Sequence, residues 1–265
     1  MKLKWILMCL LIILLAPIVV KSQQPVSSFE KFDDISDEAL QMVKFHKYEE
    51  AKKLLDYFSE QFPGQSAKAR PLTMDELRIV NVSRDEAIEA AVSPTMKYEE
   101  RISRLVKFRL VIDALSSKHQ PLWVGMEDQI MTAFEQAKEA AYKGDSAKFQ
   151  TGFNGFLSRY NVIYPSMKID VPAENIQKLD ARINFIDMYR AQIVSNSKNL
   201  KEMDGLEVDL KRLFKDIKED EADPSLWWVI ISTGSIIIMT LSYVGFRKYQ
   251  GERDMKKNRK REYKD

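Results

Sequence analysis

Residues 226–246 read LWWVIISTGSIIIMTLSYVGF, twenty-one positions without a charge, closed by Asp223-Pro224 on one side and Arg247-Lys248 on the other. As a helix rising about 1.5 Å per residue the stretch spans about 31 Å, which matches the ~30 Å hydrocarbon thickness of a bilayer. Trp227 and Trp228 stand in its first turn, with Tyr243, Phe246 and Tyr249 near its other end, where amphipathic rings prefer the headgroup regions. A core helix of this length would keep a polar stripe. The stretch therefore reads as one C-terminal transmembrane helix.

The flanks orient it. Residues 247–265 carry nine Lys or Arg against four acids, and positive charge beside a span marks the cytoplasmic side. The sequence thus predicts a basic cytoplasmic tail lying on an anionic inner leaflet, where each cation gains about 1 kcal/mol, and an exported body before the span. Between Ser22 and Phe246 the balance reverses to 29 basic and 35 acidic residues. An acidic body argues against nucleic acid as its partner.

At the other end, Lys2 and Lys4 precede an apolar run from Trp5 to Val20 and a small residue at Ser22. This is the layout of a secretory signal over residues 1–22, cleaved at Val20-Lys21-Ser22 or retained as an anchor. Both readings export residues 23–223. Cys9, the only cysteine, lies in that run, so disulfides, thiolate metal sites and cysteine nucleophiles are excluded from the body.

The body is rich in helix formers and poor in Gly and Pro. Leu40, Val43, Ala51, Leu54, Leu55, Phe58 and Phe62 recur at three- and four-residue steps, and Pro63-Gly64 is expected to end that run. The set Tyr48, Glu49, Glu50, Ala51, Leu55, Phe58, Pro63 has the spacing of the second helix of a tetratricopeptide unit, with His46 at the usual turn glycine. The pattern returns 98 residues later. Phe149, Phe153, Phe156 and Tyr160 stand at the offsets of Ala51, Leu55, Phe58 and Phe62, after a turn at Lys143-Gly144-Asp145. Two helical hairpins of similar build follow, by duplication or by common packing demands. The expected fold is all-α, a helical-hairpin bundle or a tetratricopeptide-like array.

Thr73-Met-Asp-Glu76 and Ser83-Arg-Asp-Glu86 both have the form of a capping box and predict helix starts. Leu77 to Val82 reads alternatively as a short strand. Helical spacing continues from Ile102 to Leu115, from Pro121 to Tyr142, and from Pro172 to Ile193. Tyr164-Pro165 to Val171-Pro172 reads as an extended connector, because each proline disfavours helix in the residue before it. The charged segment from Leu200 to Asp223 carries Leu206, Leu210, Leu213, Phe214 and Ile217 at helical spacing. It either forms a stalk that pairs with a partner helix or docks on its own domain.

Little in the body suggests chemistry. His46 and His119 lie far apart and do not form an i, i+3 or i, i+4 pair, and the body has no cysteine to complete a site, so no metal is expected. Adjacent acids such as Glu49-Glu50 and Glu127-Asp128 point to different sides of a helix, as solvated faces do. Nucleophile elbow, phosphate loop and dinucleotide fingerprint are absent from the sequence, and no cofactor is expected. Gly152 and Gly155 would let another helix approach closely, a reading favoured over a ligand cradle. Trp123 is a core anchor or a surface hot spot. With Phe149, Phe153, Phe156 and Tyr160 it makes up the candidate partner contact. In the span, Ser232, Ser235, Met239 and Ser242 form a stripe of mostly small residues that could pack on another membrane helix.

Tyr48-Glu-Glu-Ala51, Leu72-Thr-Met-Asp-Glu-Leu-Arg-Ile79, Phe108-Arg-Leu-Val-Ile-Asp-Ala114, Pro121-Leu-Trp123 and Tyr164-Pro-Ser-Met-Lys-Ile-Asp-Val-Pro172, in this order before a late span and basic tail, resemble the YpjB family of sporulation proteins. The resemblance runs from about Phe29 to the tail. It implies a membrane protein of endospore-forming bacteria that contributes to efficient sporulation, and it supplies no catalytic or ligand residues. The expected role is an interaction or assembly factor in the cell envelope, not an enzyme. The alternative is a single-span sensor, which the 19-residue tail leaves little room to serve as effector.

Overall fold

The computed structural model of the protein describes residues 28–69, 71–116, 120–220 and 224–262; the expected signal segment 1–22 lies outside them. Among the described residues ten α-helices account for most of the chain: α1 (Ser28–Lys44), α2 (Tyr48–Ala69), α3 (Met74–Val92), α4 (Tyr98–Ser116), α5 (Glu127–Tyr142), α6 (Ser146–Asp170), α7 (Ala173–Met188), α8 (Arg190–Ser195), α9 (Ser197–Asp220) and α10 (Pro224–Glu262). A 3-10 turn over Leu122–Met126 precedes α5. No strand occurs among the described residues, and the fold is all-α.

The hairpin signal in the sequence corresponds to a repeated turn. At the end of α1, His46 takes a left-handed φ of 59°, its N–H donates to Val43 O (3.0 Å) and the Lys47 N–H donates to Met42 O (2.8 Å). At the end of α5, Gly144 takes a φ of 71°, its N–H donates to Ala141 O (3.1 Å) and the Asp145 N–H donates to Ala140 O (3.0 Å). Both are Schellman closures, and position 144 lies 98 residues after position 46. Beyond the turns the register persists. Leu105, Phe108, Ile112 and Leu115 of α4 are buried, as are Met203, Leu206, Leu210 and Leu213 of α9, each 98 positions later.

Four local expectations are corrected. Pro63 does not end its helix, and α2 runs on to Ala69. Tyr164 to Asp170 is not an extended connector; α6 continues through Pro165. A proline inside a helix costs about 3 kcal/mol, but Val162, Ile163, Met167 and Val171 are all buried on that stretch, and each large apolar side chain returns about 1.5–3 kcal/mol. Ser83 caps nothing: it is buried in mid-α3 and its hydroxyl donates to Val80 O at 3.0 Å. The first capping box does start α3. Thr73 Oγ1 accepts from Glu76 N (3.1 Å), and Glu76 Oε2 accepts from Thr73 N (2.7 Å). The segment 77–82 is the middle of α3 and not a strand.

The chain divides into two compact units: one up to Ile130 together with Phe153–Ile176, the other Met131–Gly152 together with the residues from Gln177 onward. In the first, α1 lies against α2 and α4, and α3 lies against α4. Phe32 meets Phe58 edge-on at 5.1 Å, and Phe58 meets Phe108 edge-on at 5.0 Å. Arg101 is buried with no carboxylate partner among the described residues. Its guanidinium donates to the Ala90, Ser93 and Met96 carbonyls around the end of α3, where the helix dipole favours a cation.

In the second unit α9 docks on its own unit, so the stalk alternative fails. Met203, Leu206, Leu210, Leu213 and Phe214 are buried, and its acids are tied to neighbouring helices. Lys138 of α5 reaches both Asp204 (2.6 Å) and Glu207. Lys178 and Arg182 of α7 converge on Asp209 at 2.7 and 3.0 Å, and Arg182 also reaches Glu202 at 2.8 Å.

Candidate functional site

The aromatic residues singled out by spacing are interior. Trp123, Phe149, Phe153 and Phe156 are completely buried and Tyr160 is 3% exposed, so as they stand they offer no partner surface. Aromatic type and helical spacing specify a packed face equally well whether it meets the chain's own core or another protein. Trp123 is the core anchor. Its indole N–H donates to Asp170 Oδ2 at 2.8 Å, while Asp113 Oδ2 accepts the Leu122 N–H at 2.6 Å. Together the two carboxylates fix the 3-10 turn. Burial pushes the Asp113 carboxyl above its ordinary value, against the lowering effect of the Leu122 amide. Burial raises Asp33 in the same way, although Arg109 is beside it.

Gly152 does admit a helix: a Cβ there would lie 3.1 Å from the Ala137 Cα. Gly155 does not, since only Arg159 of its own helix is near. His46 is exposed, its Nδ1 shares a hydrogen bond with the Tyr48 hydroxyl at 2.8 Å, and its ring lies 4.9 Å from that of Tyr98. His119 lies outside the described residues. Among the described residues no group of three or more His, Cys, Asp or Glu could hold a metal ion.

Two surface features remain as candidates. The first is α10. Ile230–Tyr249 is long and apolar enough to cross a membrane, and Ile230, Ile236, Met239, Leu241 and Val244 are exposed. Ser232, Ser235 and Ser242 are exposed on the same helix, and the Ser235 hydroxyl donates to Ile231 O of its own backbone at 2.6 Å. The helix continues without interruption into the basic segment, as far as Glu262.

The second is a cleft of about 330 Å³ in the first unit, formed by α3, α4 and α6. Ile79, Val82, Tyr164 and Pro165 supply its apolar surface. Arg78, Lys107 and Lys168 supply cations, and Asp75 and Glu86 supply acids. Sequence reasoning missed it because Tyr164 and Lys168 were assigned to an extended connector. Their i, i+4 spacing was the available signal, and the flanking prolines hid it. A larger hollow at the α5–α6 hairpin is a solvated face by contrast. Its charges pair locally, Lys143 with Glu139 at 2.5 Å and Lys148 with Asp145 at 3.1 Å.

An all-helical body followed by one exposed apolar helix and a basic segment defines the class of protein. The chain belongs to the sporulation protein YpjB family, which matches residues 29–258. It is similar to the Bacillus subtilis (strain 168) protein named "Uncharacterized protein YpjB", with 36% identity over 238 residues that cover 89% of each chain. No solved structure matches it.

Proposed function

We propose that this sporulation-family protein is held in the cell membrane by α10, with its helical body outside the cytoplasm and its basic segment inside, and that the body acts as an interaction or assembly factor. The observation that carries the reading is the exposed apolar surface over Ile230–Tyr249. Soluble monomers rarely leave so large an apolar patch in water. Nine basic residues after Phe246 supply the orientation.

Binding is favoured over catalysis because the most buried acids serve the scaffold. Asp113 holds the Leu122 amide, and Asp209 joins α7 to α9. In-cell photo-crosslinking from exposed body positions such as Tyr142 and Phe45 during sporulation, followed by mass spectrometry, tests the role. A discrete envelope protein, retained when residues 253–265 are removed, supports it. A folded, membrane-bound body with no specific adduct refutes it.

A further inference from the structure

The cleft between α3, α4 and α6 is equipped for one kind of occupant. Arg78 and Val82 lie four residues apart on α3, as do Asp75 and Ile79, so the four side chains line one stripe of the helix. Tyr164 and Lys168 do the same on α6, where the Lys168 Nζ lies 5.9 Å from the Tyr164 ring centroid. Val82 is 52% exposed, a β-branched apolar side chain left in water at the middle of the cleft.

The charges are not balanced within the cleft. Glu86 is committed to Lys107 at 2.9 Å. Asp75 stands in the first turn of α3, where the helix N-terminus stabilises a carboxylate. Arg78 and Lys168 are left with no ion pair among the described residues. On a body with 29 basic and 35 acidic residues between Ser22 and Phe246, two uncommitted cations beside an apolar floor form a local exception.

We propose that this cleft binds an acidic segment of a partner polypeptide, with an apolar side chain seated on Val82, Tyr164 and Pro165 and a neighbouring carboxylate held by Arg78 and Lys168. The guanidinium can engage a carboxylate through two parallel N–H bonds. From Asp75 to Glu86 the cleft runs about 16 Å along α3, the length of about five extended residues at ~3.3 Å each. That span suits a peptide better than a single small anion. The inference rests on the reading of the body as an interaction factor, and it names the face and the chemistry.

The test is selection of random dodecamers displayed on phage against the full chain in nanodiscs. The expected enriched set places Asp or Glu beside Leu, Ile, Phe or Tyr. A peptide made from that consensus should lose at least thirtyfold in affinity with the double variant Arg78→Glu/Lys168→Glu, and at least tenfold with Arg78→Gln/Lys168→Gln. It should also bind less tightly at higher salt. Unchanged circular dichroism shows that the variants fold. No enrichment, a consensus without acids, or full affinity in both variants would overturn the proposal. A cellular partner crosslinked elsewhere on the body, with a silent cleft, would leave the interaction reading standing and remove this inference alone.

Discussion

Arg182 occupies the space that a side chain at position 205 would need: a Cβ on Gly205 would lie 2.5 Å from the Arg182 Cζ. The glycine therefore lets the guanidinium cross the α9 backbone between Asp209 and Glu202. In an ordinary helix Gly→Ala stabilises by about 1 kcal/mol. Here that gain should be largely cancelled. Gly205→Ala makes the guanidinium, the flexible end of Arg182, move aside and weaken its partly exposed ion pairs with Glu202 and Asp209, each worth about 0–1 kcal/mol. In an Arg182→Ala background the gain should return, as measured by a double-mutant cycle in chemical denaturation.

Trp123 gives a second test. Replacing a fully buried tryptophan by alanine costs about 3–5 kcal/mol, so Trp123→Ala should come close to unfolding the first unit. Asp170→Asn keeps an acceptor for the indole and should cost about 1 kcal/mol. Tryptophan fluorescence during urea unfolding reads the Asp170→Asn variant, and far-ultraviolet circular dichroism reads Trp123→Ala.

Asp113 predicts a pH dependence with a defined sign. Burial raises its folded value above the ordinary 3.8, so its proton stabilises the fold at low pH. That contribution is lost as pH rises through the folded value. Asp113→Asn retains an oxygen for the Leu122 amide and has no charge to bury. The variant should therefore gain thermal stability relative to the parent as pH climbs from about 4 to 7. A constant difference in Tm across that range would show that the carboxylate is not disfavoured by its site.

Arg101 caps the end of α3 with three carbonyl contacts. Arg101→Leu keeps bulk and leaves those acceptors unsatisfied, each worth about 1–3 kcal/mol if buried. The expected result is fraying of the last turn of α3, seen as faster hydrogen exchange at the amides of Ala90 to Ser93, while the middle of α2 stays protected. Lysine should rescue only in part, since it cannot span three carbonyls with a fixed fork.

The paired turns were the most legible part of the fold. The offset of 98 residues between the two apolar repeats and the turn at Lys143-Gly144-Asp145 were readable, whereas the left-handed φ at His46 and at Gly144 was found only in the structure. Pro63 and Pro165 were misread because the local cost of a proline is visible in sequence, whereas burial of Phe62, Met167 and Val171, which outweighs it, comes only from tertiary packing. The same limit applies to Phe149, Phe153 and Phe156. Spacing assigned them to one face, but a face does not name what covers it. The cleft was invisible because it needs α6 to be helical through Pro165.

Anchoring by α10 is the central claim, and cysteine accessibility in intact cells tests it most directly. In a Cys9→Ser background, single cysteines replace Lys143 in the body and Lys264 in the tail, and a membrane-impermeant maleimide is added before and after lysis. The account predicts that position 143 is labelled in intact cells, that position 264 is labelled only after lysis, and that both variants sediment with membranes. Labelling of position 264 in intact cells, or recovery of the chain in the soluble fraction, would contradict it.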